Sequence, residues 1–296
     1  GTTAIASADM IGSGNLRLAG GTLEINNSGN TVFNQDVAVT SSSAIVAQGN
    51  NISSTVSFSG AMTGNGNLSI SVIDTNVLLY QASALTGDLT LTSTLGAMVI
   101  AMDNSNFGLG TITLTNGTTL GVAGAPRTIT NDIVLAGNAT IHTVAPAAPD
   151  SVITFSGNIS DVGGSRNLAV NAGGLVVQLA GNNTYTGATE LNNGTLRVAS
   201  DNNLGSGQVV FSGGTLNITG TTIIDNTVGF SAMGTIQVDA VATLTGVISG
   251  AGQMTKTGEG TLILTGTQSH SGGMAINQGT LSLASDANLT SGNIVF

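Results

Sequence analysis

Apolar and hydroxyl-bearing side chains alternate over short runs throughout the chain, as in Thr111–Thr115 (TITLT), Thr215–Thr219 (TLNIT) and Leu262–Leu264 (LIL). A period of two sends successive side chains to opposite faces, so these runs predict short strands with Leu, Val and Ile turned towards a core and Thr, Ser and Asn towards water. No stretch sustains an apolar period of 3.6. Gly, Asn and Thr-rich junctions would interrupt a helix every few residues, so very little helix is expected.

A longer pattern overlies the alternation. A cassette of Gly-Thr-Leu, an apolar strand, Ala-Ser-Asp, a Leu-Gly or similar turn and then Ser-Gly opens at Gly1 and again at Gly194, where two 23-residue stretches share 11 identities. A degenerate copy opens at Gly96 and a fourth at Gly279; aligning Gly181–Phe211 with Gly266–Phe296 gives 15 identities in 31 positions. These starts divide the chain into modules 1–95, 96–193, 194–278 and an incomplete 279–296. Within a module Gly194-Thr-Leu returns at Gly214, Gly1-Thr at Gly21 and Gly96 at Gly117, a step of 20 or 21 residues.

A period near 20 holding several short strands predicts an all-β chain folded as a parallel β-solenoid. A propeller blade would need about 40–50 residues, and this chain has no Trp and only 3% aromatic residues. Stacking at a strand spacing of ~4.8 Å, roughly 13–14 coils would make a rod on the order of 60 Å long. One continuous β-helix through residues 1–296 is therefore expected. Each of the 43 glycines would cost roughly 0.5–1 kcal/mol relative to Ala inside a strand, which places most of them at turns. The chain breaks off within a cassette at Phe296 and shows no polar capping repeat, and the expectation is a segment of a longer surface protein.

Composition narrows the function classes. Five cations (Arg17, Arg127, Arg166, Arg197, Lys256) stand against fifteen acids for a net charge of −10; scattered along the chain, they cannot line a phosphate-binding groove, which argues against nucleic acid. No apolar run approaches the ~18 residues of a spanning helix, so membrane insertion by this stretch is not expected. The lack of cysteine removes disulfides, thiolate metal sites and thiol nucleophiles.

Asp103, Asp201 and Asp286 share one cassette position and Asp36, Asp132 and Asp225 another; acids that recur in every module read as turn residues bonding their own backbone. His142 and His270 have no third group in the sequence to make a base or metal site. The asparagines 26, 27, 50, 51, 182, 183, 192 and 193 read as corner residues, with sugar-binding ladders as the rival. No catalytic, cofactor-binding or metal residue is assigned. The least repeat-like loop, around Pro146, Pro149 and Asp150, is the first place to look for a partner contact.

The stretch from Gly250 (GAGQMTKTGEGTLILTGTQSHSGGMAINQGTLSLAS) and the stretch Gly181–Gly207 (GNNTYTGATELNNGTLRVASDNNLGSG) resemble the passenger-associated repeat of bacterial autotransporters. The stretch Gly181–Gly207 carries Asn183–Gly187 (NTYTG), for which the stretch from Gly250 has Gln268–Gly272 (QSHSG) while supplying Lys256, Gly258 and Gly260. The resemblance is strong over residues 155–296 and faint but periodic over 1–154. It implies a right-handed parallel β-helix exported through the outer membrane to the bacterial cell surface, and no enzymatic centre. The expected function is a structural stalk or fibre-forming segment that supports adhesion or display, self-associating end to end or side by side, or meeting a surface glycan or receptor. The alternatives are a ligand-binding adhesin and a polysaccharide-active enzyme on the same fold.

Overall fold

A computed structural model describes residues 1–94, 96–102, 107–124, 126–144, 151–284 and 292–296. The chain is an all-β parallel β-solenoid of about 13 turns, about 21 residues each. Among the described residues the helical segments are two short 3-10 turns, Ala8–Ile11 and Asp201–Asn203. Both form on the Ala-Ser-Asp part of the cassette. In the second, Ser200 and Asn203 cap one another's backbone, which satisfies amides that so short a helix leaves without partners.

Two compact units divide the chain, Gly1–Ala147 and Ala148–Phe296. In the first, Thr2–Ile5, Leu16–Asn26, Val37–Gln48, Leu68–Ile73, Leu89–Thr94, Ile112–Leu114 and Ile133–Leu135 pair in parallel, each with the next. A second parallel series runs through Asn30–Phe33, Thr55–Phe58, Asn76–Leu79, Met98–Ala101, Thr118–Ala123 and Ala139–Val144.

In the second unit Leu168–Leu179 and Thr189–Val198 lead into the parallel series Thr215–Ile218, Gly234–Val238 and Met254–Thr257. A further sheet contains Thr222–Ile224, Val241–Leu244, Thr261–Leu264 and Thr280–Leu283.

Register explains the Gly-Thr-Leu cassette. Thr195, Thr215, Thr235 and Thr255 lie opposite one another on successive coils, and so do Leu196, Leu216 and Ile236. The leucines and isoleucine are buried and the threonines half-buried. Threonine thus builds an outer ladder and the apolar residue an inner column, while Gly194 and Gly214 turn the corner at φ 72° and 68°, where a side chain would be strained. The same order recurs in Thr2 opposite Thr22 and Thr261 opposite Thr280. The core contains aromatic stacks: Phe33 on Phe58 at 5.1 Å and Phe211 on Phe230 at 4.7 Å.

Candidate functional site

Several polar side chains tie one coil to its neighbour, among them buried asparagines that the sequence does not single out. In the first unit the Asn131 amide donates from Nδ2 to the carbonyls of Gly108 and Gly110, at 3.1 and 2.7 Å. In the second, Asn226 Nδ2 donates to the carbonyls of Gly205 and Gly207, both at 2.7 Å. The Gly-x-Gly end of the cassette is therefore held by an asparagine from the following coil, and both asparagines are buried. Buried carbonyls need such donors, because a polar group taken from water without a partner is costly.

Within the second unit Asn183 and Asn203 form an inner polar column. Asn183 Oδ1 accepts the Ile159 N–H at 2.8 Å, and its Nδ2 donates to the Asn203 carbonyl. Asn203 Oδ1 accepts the N–H groups of Ala199 and Ser200, each at 3.0 Å, while Nδ2 donates to the Gly181 carbonyl at 3.1 Å. Asn27 is also buried, donating to the Thr55 carbonyl and accepting from Gly29 and Thr31. The first members of these pairs, Asn26 and Asn182, are exposed, as are Asn192 and Asn193. Asn51 closes a local turn by accepting the Ser53 N–H at 2.9 Å.

The acids differ from expectation in their partners. Asp36 Oδ1 accepts the N–H of Ala61, 25 residues on, at 2.9 Å, and Asp88 Oδ1 accepts that of Thr111, 23 residues on, at 3.0 Å. Asp201 Oδ1 likewise accepts the Asp225 N–H at 3.2 Å. These carboxylates bond the next coil rather than their own turn, because parallel stacking brings an unpaired corner amide over each of them. Asp161 accepts both the N–H and the hydroxyl of Thr186, at 2.8 and 2.7 Å. Burial pushes its pKa up, and the bonds from Thr186 and the Arg166 N–H outweigh this to hold it below the ordinary carboxylate value. Asp201 is pushed the other way by burial and by the facing Asp225. Asp103, Asp286, Pro146, Pro149 and Asp150 lie outside the described residues.

His270 stands where the preceding module has Tyr185, and both rings are fully buried. The Tyr185 hydroxyl lies 2.6 Å from Thr189 Oγ1, whereas His270 Nε2 lies 3.3 Å from the Gly273 carbonyl. Burial lowers the His270 pKa more than the Gly273 carbonyl raises it, and burial lowers that of His142. In the window between the ordinary value of 6.5 and the lowered folded value, the unfolded chain therefore binds more protons than the folded one. Stability is complete above about pH 6.5 and falls as pH drops through that window. Thermal melts from pH 8 to pH 5 are expected to show this loss, and His270→Phe to retain only the share due to His142. An unchanged slope in the variant would refute the assignment.

Lys256, one of the five scattered cations, is an interior residue. It lies in register with Ile236 and Ile276, is fully buried, and donates from Nζ to the carbonyls of Thr257, Gly258 and Gln278 at 2.8, 2.8 and 3.1 Å. Burial lowers its pKa against the opposing pull of Asp239. Alternation carried the signal, since Met254–Thr257 (MTKT) puts Lys256 in phase with the inward Met254. Arg127, also buried, donates to the Ala101 carbonyl at 3.1 Å.

Close stacking accounts for glycines that have ordinary backbone angles. A Cβ on Gly246 would lie 2.1 Å from the Asn226 carbonyl oxygen. Gly246→Ala is expected to destabilise the second unit by about 1–3 kcal/mol, measured by urea titration, and a neutral result would show that the corner can shift.

An open cleft of about 460 Å³ is lined by Asp9, Ser13, Asn15, Asn34, Gln35 and Asp36. Among the described residues no three His, Cys, Asp or Glu side chains are placed to share a metal ion, and no helix is long and apolar enough to cross a membrane.

Compared with known proteins, residues 172–198 and 254–283 match the family model of the passenger-associated-transport-repeat. No curated protein and no solved structure matches the chain. The first matched segment spans Asn183 and the corner at Gly194; the second contains Lys256, His270 and the last Gly-Thr-Leu.

Proposed function

Since these repeats and the parallel β-solenoid together fit an autotransporter passenger domain, and such repeats imply a secreted or surface-exposed protein with a structural role, we propose that this segment acts mechanically. It is a stalk or fibre-forming element that reaches the bacterial surface through the outer membrane and supports adhesion or display. The observation that carries this reading is the inter-coil capping. Buried asparagines close Gly-x-Gly carbonyls of the preceding coil in both units, so pulling or proteolysis must break several bonds at once. Self-association, end to end or side by side, would extend the same principle. The acidic surface, with its net charge of −10, keeps chains apart until a partner surface offsets the repulsion.

A stalk acts through length and stiffness. Replacing this segment within its surface protein by an unrelated β-solenoid of equal coil number is expected to preserve adhesion by cells, and deleting it to abolish adhesion. Loss of adhesion in the replacement, with surface exposure intact, would transfer the role to specific residues and favour a ligand-binding adhesin.

A further inference from the structure

The chain contains three Asn-Gly dipeptides, at Asn65–Gly66, Asn116–Gly117 and Asn193–Gly194, and all three asparagines are exposed. They differ in where the glycine N–H is directed. Gly66 donates to the Val39 carbonyl at 3.0 Å and Gly117 to the Asn138 carbonyl at 2.7 Å, so in both the backbone nitrogen is engaged with another coil. Gly194 instead donates to Oδ1 of Asn193 itself, at 2.8 Å. This contact holds a backbone nitrogen against the side-chain amide whose carbon it can attack.

We propose that Asn193 is a site of spontaneous covalent modification, at which the Gly194 nitrogen converts the asparagine into aspartate and isoaspartate. Hydroxide removes the Gly194 N–H proton, and the nitrogen pair forms a bond to Asn193 Cγ. The Cγ–Nδ2 bond then breaks, Nδ2 takes a proton from water, and ammonia leaves a five-membered cyclic imide. Water adds to one of the two imide carbonyls and opens the ring. Attack at the former side-chain carbon restores a normal backbone with aspartate; attack at the former backbone carbon leaves isoaspartate, with the chain rerouted through the side chain. No oxidant or reductant takes part. Proximity does the work, since reacting groups held in place avoid most of the entropic cost of meeting, and Gly194 has no Cβ to crowd the attacking nitrogen.

The product matters because of what lies above it. A Cβ on Gly213 would be 2.6 Å from the Asn192 carbonyl oxygen and one on Gly214 3.5 Å from the Asn193 carbonyl carbon, so the next coil already rests on this corner. Isoaspartate adds a backbone atom there, and either product adds a negative charge to an acidic chain.

The intact chain, incubated at physiological temperature and mildly alkaline pH, is followed by peptide mass mapping and by methyl labelling with an isoaspartyl methyltransferase. Conversion at Asn193 is expected to run at least about tenfold faster than at Asn65 or Asn116. In the chain unfolded in urea the three rates are expected to converge, because the folded geometry is what separates them. Asn193→Gln, whose longer side chain forms the ring far more slowly, is expected to remove the fast phase with the circular dichroism spectrum unchanged. Equal rates in the folded chain, a faster site at Asn65 or Asn116, or a fast phase that survives Asn193→Gln would overturn the proposal.

Discussion

Phe230→Ala is expected to destabilise the Ala148–Phe296 unit by about 3–5 kcal/mol. The ring is fully buried, lies 4.7 Å from Phe211 with the two planes 7° apart, and has the His270 ring 5.8 Å away on a tilted approach. Truncation removes the transfer energy of the side chain and leaves a cavity between coils that hydrogen bonds hold at fixed spacing. The pairing with Phe211 adds about 0.5–1.5 kcal/mol beyond burial. Against a domain stability of about 5–15 kcal/mol, this should shift the urea midpoint far more than Val247→Ala, which alters an exposed side chain. Equivalent midpoints for the two variants would mean that the core collapses around the gap.

Asn203→Leu should cost about 2–4 kcal/mol, because it strips partners from buried groups and offers none in return. The Gly181 carbonyl loses its donor and the Ala199 and Ser200 N–H groups their acceptor. Asn203→Asp separates the two halves of the interaction. The carboxylate still accepts from Ala199 and Ser200 but repels the Gly181 carbonyl, so this variant should recover stability on acidification, when protonation turns one oxygen into a donor. Guanidinium unfolding of the three proteins at pH 7 and pH 4.5 checks the order. If Asn203→Leu matches the parent, the inner polar column contributes nothing to stability.

Much of the fold was legible because the solenoid repeats the same environment at each coil. Alternation of two set the faces, the 20-residue step set the coil, and the Gly-Thr-Leu cassette marked corner, outer ladder and inner column at once. What local pattern could not show was which residue lies over which. The side chain of Asp36 meets the amide of Ala61, and Asn226 meets the carbonyls of Gly205 and Gly207; both pairings cross a coil boundary and exist only once the register is known. Lys256 escaped for a different reason. Its charge outweighed its phase, although three carbonyls converge to receive the ammonium group in the interior. His270 takes the place of Tyr185 in the repeat, and only the structure shows that both rings are buried and that protonation of His270 opposes folding.

The capping of Gly108-x-Gly110 and of Gly205-x-Gly207 by an asparagine from the following coil also bears on how such a chain can change in length. Adding or removing one whole coil elsewhere leaves each of these glycine pairs facing its asparagine, whereas a change of a few residues within a strand slides the amide off its carbonyls and turns inward side chains outward. The tolerated unit of growth is therefore the coil, and a lineage of such proteins can vary its reach in steps of about 5 Å without composing a new interior.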